Sequence, residues 1–64
     1  MSQKSRVLKH LETGAGITQY EAIIEYGVLR LSSVIYELRK QGNKITTNMV
    51  TTGSGKRVAE YSLK

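Results

Sequence analysis

A chain of 64 residues has room for one small domain, and a core of that size is marginal on its own. No Cys is present to add a disulfide or a thiolate metal site, and one His with no Asp leaves no set from which a Ser-His-Asp or Cys-His relay could be assembled. Ten Lys and Arg against five acids give a formal charge of +5, and the whole excess lies in residues 30–64, because Lys4, Arg6 and Lys9 balance Glu12, Glu21 and Glu25.

Ser2 is placed to cap a first helix near residues 3–12, with Val7, Leu8 and Leu11 as its apolar stripe and Gly14 as its stop. Thr18-Gln19-Tyr20-Glu21 fits a capping box: the Thr18 hydroxyl meets the amide three residues on, and Glu21 reaches back. Ile17 can then staple onto Ala22. A second helix is expected near 19–26, with Tyr20, Ile23, Ile24 and Tyr26 as its apolar face and Gly27 ending it. Leu31, Val34, Ile35 and Leu38 fall at i, i+3, i+4 and i+7, the inner stripe of a third helix near 30–41. Arg39 and Lys40 sit in its last turn, where cations suit the dipole, and Gly42 supplies the left-handed stop.

Beyond Gly42 the period changes to two. Strands are expected near 44–52, rich in β-branched residues, and near 56–63, where Ala59, Tyr61 and Leu63 share a face. Gly53-Ser54-Gly55 joins them in a hairpin. A lone hairpin is marginal, so its Ile45, Met49, Tyr61 and Leu63 side is expected against the helices. The sum is one α+β domain over 1–64: a three-helix winged helix-turn-helix with a C-terminal two-stranded β-hairpin wing.

With the stripe of the third helix inward, Ser33, Tyr36 and Lys40 point outward, flanked by Ser32 and Glu37, and Arg30 stands at the helix start. That face can enter the major groove of double-stranded DNA, where Arg bonds guanine bidentately and Ser meets several bases. The tip Ser54, Lys56 and Arg57 can lie along phosphates or a minor groove, and the free amides near Thr18 and Gln19 offer a further phosphate seat. Bland readings stand beside these. Arg39 and Lys40 also serve as dipole caps, Lys56 and Arg57 as solubilising charges on an edge, and Ser32 and Ser33 as helix filler. Tyr26 and Tyr61 read as core residues with exposed hydroxyls, Tyr20 is open between core and surface, and His10 reads as a boundary residue. Ile23 stands where a small residue commonly precedes the turn and Ala22 is one earlier, so a turn one residue longer or differently bent is expected.

Gly53-Ser54-Gly55-Lys56 is not a phosphate loop: Val50 holds the first Gly position, Arg57 replaces Ser or Thr, and strands flank it. Gly14-Ala15-Gly16 lacks the third Gly of a dinucleotide fingerprint. No enzyme, cofactor, metal or small-molecule substrate is expected. No apolar run reaches the length of a signal segment or a membrane span, so a cytoplasmic protein is expected.

Several segments carry a resemblance. They are Leu8-Lys9-His10-Leu11-Glu12-Thr13-Gly14, Ile17-Thr18-Gln19-Tyr20-Glu21-Ala22 and Tyr26-Gly27-Val28. The run Arg30 to Gly42, then Met49-Val50 and Lys56 to Tyr61, continue it nearly end to end. The chain resembles the small phage and prophage winged helix-turn-helix family, although Ser32 and Ser33 stand where that family often has Ala. The resemblance implies a DNA-binding fold from a mobile element, working in a bacterial host as a transcriptional regulator or an excisionase-like recombination factor. Apart from the resemblance, a domain this small buries too little surface to be highly selective alone, so adjacent copies or a homodimer are expected. The competing class is a winged-helix protein-interaction module, such as a phage-encoded inhibitor of a host protein.

Overall fold

The computed structural model describes residues 2–64, and the elements follow from local signals. Ser2 caps α1 (Gln3–Glu12) by accepting from the Ser5 amide, and Val7 and Leu11, four apart, become its buried stripe. Thr18 ends β1 (Ile17–Thr18) and caps α2 (Gln19–Tyr26). Its hydroxyl accepts from the Glu21 amide at 3.3 Å while Glu21 Oε1 accepts from the Thr18 amide at 3.1 Å. α2 stops at Gly27, whose φ of 67° is the left-handed conformation that only glycine adopts cheaply.

α3 (Leu31–Lys40) buries Leu31, Ile35 and Leu38, and Val34 packs half-buried at their flank. Four residues, 27–30, separate α2 from α3. The Val28 amide bonds Ala22 O across this turn, so Ala22 rather than Ile23 is the small residue beneath it. After α3 come β2 (Ile45–Thr51) and β3 (Arg57–Leu63).

The sheet is antiparallel in the order β1-β3-β2, which corrects the expected two-stranded hairpin to three strands. Ile17 lies opposite Tyr61 and Thr18 opposite Glu60. Two residues are too few to show a period of two, and their partner is distant in sequence, so the stretch reads locally only as a staple and a cap. β2 and β3 pair from Ile45 against Leu63 to Thr51 against Arg57. Residues opposite one another share a face, so Ile45, Leu63, Tyr61 and Ile17 turn together toward the helices.

The core joins Val7, Leu11, Ile17, Ala22, Val28, Leu31, Ile35, Leu38 and Ile45, ringed by Leu8, Tyr26, Val34, Tyr61 and Leu63. Two expectations about it need correction. Met49 shares the inward face but is 54% exposed, because that end of the hairpin extends past the cover the helices provide. On α2, Tyr20, Ile23 and Ile24 are exposed, and the buried side is Ala22 with Tyr26 four residues later. A small side chain at Ala22 lets the helix approach closely while Ile17 and Val28 fill the space beside it.

His10 joins α1 to the following segments. Its Nε2 lies 3.0 Å from Gly16 O, which can only accept, so in the neutral ring Nε2 carries the hydrogen. Nδ1 then accepts from the Tyr26 hydroxyl at 2.7 Å. The expected boundary residue is thus a half-buried tie between α1, α2 and the loop leading into β1.

Gly16 is needed for lack of space. A Cβ there would stand 2.7 Å from Glu60 Cδ and 2.8 Å from Cγ. Gly16→Ala should destabilise by about 1 kcal/mol, the low end of overpacking because a flexible side chain can yield. In a chemical-unfolding cycle, Glu60→Ala should recover most of that loss; strictly additive effects would show that Glu60 is not the obstacle.

Candidate nucleic-acid interface

The start of α2, the start of α3 and the hairpin tip enclose a groove of about 530 Å³. Leu31, Ala59 and Tyr61 are among its apolar lining. Thr18, Gln19, Ser32, Ser54 and Lys56 also line it, so five of the ten residues expected to meet DNA converge on one concavity. Tyr20 stands in the same lining at 73% exposure, which settles it as a surface residue.

The other five lie outside this groove. Arg30 and Ser33 share a shallower depression with Gln3 and Leu29 beside the start of α1. Tyr36 and Lys40 line another with Lys4, a cation that no sequence signal tied to α3. Lys40 Nζ stands 5.6 Å from the centre of the Tyr36 ring, a cation–π approach that orients both on the outer side of the helix. Arg57 is exposed at the start of β3, opposite Thr51.

Gln19 turns out to be a fastener. Its Oε1 accepts from the Leu31 amide at 2.8 Å and its Nε2 donates to Val28 O at 2.7 Å. One side chain thereby ties the start of α2 to the turn and to the first amide of α3, setting the angle at which α3 is presented. Gln19→Ala should lower stability by about 1 kcal/mol, the usual net value of such bonds, and speed exchange of the Leu31 amide. Unchanged Leu31 exchange would count against this role.

Arg39 is likewise committed. Its Nε and Nη2 donate to Ile45 O at 3.1 and 2.8 Å, and Nη2 also donates to Thr47 Oγ1 at 2.9 Å. These bonds lock the end of α3 to β2, a role beyond the dipole cap that its place in the last turn suggests. At the start of α2 the Glu21 carboxylate already engages the Thr18 amide and hydroxyl. A phosphate approaching that end meets a negative charge as well as free amides, so this seat is weaker than the capping pattern alone implies.

Electrostatics favour the start and outer side of α3 together with the hairpin tip, although of their cations only Lys56 lines the groove. Among the described residues no Lys or Arg is paired with a carboxylate, and the neutral His10 ring, 4.0 Å from Glu25, makes no ion pair either. Arg30 forms no side-chain capping bond at the start of α3. Arg30, Lys40, Lys56 and Arg57 therefore stand exposed with their charge uncompensated. No helix among the described residues is long and apolar enough to cross a membrane.

No curated protein and no solved structure gives a match to the chain. The sequence pattern of a winged helix-turn-helix domain does match, over residues 2–64. Three helices, the turn fastened by Gln19 and the sheet that carries the hairpin are the parts such a domain requires, and the chain belongs to the winged helix-turn-helix family.

Proposed function

We propose that this protein binds double-stranded DNA and performs no catalysis, acting as a transcriptional regulator or a recombination accessory factor of a phage or prophage. The observation that carries the reading is the set of unpaired cations, Arg30, Lys40, Lys56 and Arg57, on α3 and the hairpin tip. Uncompensated surface cations gain from phosphates by releasing the counterions of DNA. On this reading α3 enters the major groove, with Arg30 and Ser33 toward base edges and Tyr36 and Lys40 toward the backbone. Ser54, Lys56 and Arg57 follow phosphates beside it, and Ser32 bridges the two parts because it shares the groove with Ser54 and Lys56.

Chemical-shift mapping with mixed-sequence duplex DNA at low salt tests this. Amides of residues 30–40 and 53–57 should move together, and the shifts should fade as salt rises. If duplex DNA moves neither segment, the reading fails, and a winged-helix module that binds protein takes its place. Site selection from random duplexes would then identify the preferred sequence.

A further inference from the structure

Six large apolar side chains are exposed, and four of them, Tyr20, Ile23, Ile24 and Leu29, belong to α2 and the turn after it. Scattered apolar side chains need no explanation, whereas a cluster marks a contact surface. Tyr20 and Ile24 are one helical turn apart, with Ile23 between them and the core side. Leu29, in the turn after α2, stands apart from them in the depression with Arg30 and Ser33, so the apolar face is that of Tyr20, Ile23 and Ile24. The fold gives these side chains nothing to do, since Ala22 and Tyr26 form the buried side, and an exposed Ile is a weaker helix former than Lys, Glu or Ala.

We propose that this face is the contact to a second copy of the chain, made when two copies occupy adjacent stretches of one duplex. The proposal rests on the DNA-binding reading above. Charge selects the occupant. The chain carries +5, so two copies repel over most of their surface, but α2 has no Lys or Arg. Its only charges are Glu21, held in the capping box, and Glu25, which stands 4.0 Å from His10. This is where a second cationic copy can approach with least repulsion.

Area decides when the contact forms. Three side chains fall well short of the roughly 800 Å² per partner that a stable pair buries, so free copies stay apart. DNA supplies what is missing, because binding neutralises the cations and raises the effective concentration of neighbours. Position agrees, since Tyr20 also lines the groove between α3 and the hairpin tip, which puts the apolar face at the border of the DNA surface.

The test compares filling of a duplex of about one helical turn with one of about three turns, at low salt. The longer duplex should fill with a cooperativity of about ten- to a hundredfold. Ile23→Gln and Ile24→Gln, neutral changes at exposed positions, should abolish the cooperativity and leave one-turn affinity unchanged, with circular dichroism confirming the fold. Sedimentation of the free protein should show a monomer. If the one-turn duplex is not bound, the DNA reading fails and this contact with it. If the one-turn duplex is bound but the longer one fills independently, only the contact is refuted. Cooperativity that survives both substitutions, or a stable dimer without DNA, also overturns it.

Discussion

Replacing Lys56 and Arg57 together by Glu should weaken binding to every duplex alike and flatten its dependence on salt. Both side chains are exposed at the hairpin tip and form no ion pair, so the change removes phosphate contacts without leaving a buried group unsatisfied. Each phosphate contact contributes about 0.9 to the slope of log affinity against log salt, so two lost contacts should reduce the slope by about 2. At about 50 mM salt the same term amounts to an affinity loss on the order of a hundredfold, with charge repulsion adding to it. Arg30→Ala and Ser33→Ala, by contrast, should redistribute affinity among sequences, because base-edge contacts discriminate while phosphate contacts do not. Titrations of several duplexes across a salt series separate these outcomes. An unchanged slope in the double Glu variant would show that the tip does not touch the backbone.

The parts of this fold that were legible in the sequence are those that local physics dictates. Thr18 and Glu21 announce the start of α2 because both halves of a capping box lie within four residues. Leu31, Ile35 and Leu38 announce the inner side of α3 and thereby its outer side, where Ser33, Tyr36 and Lys40 are exposed. What stayed hidden depends on distant partners. β1 exists only because Tyr61 and Glu60 arrive beside Ile17 and Thr18. The orientation of α2 is hidden because three of its four large apolar residues, Tyr20, Ile23 and Ile24, lie outside, and packing favours the side with Ala22 and Tyr26. Met49 alternates correctly, but how far the helices reach over the sheet is not written in a strand's own pattern.

The candidate site divides the same way. Which residues on α3 face outward follows from its stripe, but the groove does not, because three separate segments enclose it. Gln19 shows the limit most clearly. Its place next to a helix cap points to free backbone amides as a phosphate seat and says nothing of its side-chain amide, which bonds Val28 and Leu31. Glutamine has both a donor and an acceptor, and only the arrival of α3 determines where they go. Lys4 joins Tyr36 and Lys40 for a similar reason, since α1 and α3 become neighbours only in the folded chain.

Leu31→Ala should be the most damaging single change, because Leu31 serves the core and the interface at once. It is fully buried, it opens α3, its amide is held by Gln19, and it lines the groove. Truncating a buried Leu to Ala costs about 2–5 kcal/mol, from lost transfer energy and from the cavity left behind. A chain of this length has a total stability of about 3–10 kcal/mol, so a large share of it disappears with this one side chain. Urea unfolding should show a much lower midpoint, and at 37 °C part of the population should be unfolded. Leu31→Met, which nearly conserves volume, should cost less than about 1.5 kcal/mol. DNA binding should weaken in Leu31→Ala roughly as the folded fraction falls, and excess DNA should raise the melting temperature again, because a ligand of the folded state stabilises it by mass action. A Leu31→Ala protein that unfolds at the wild-type urea concentration would mean that α3 is not anchored through this residue. The outward side assigned to that helix would then lose its basis.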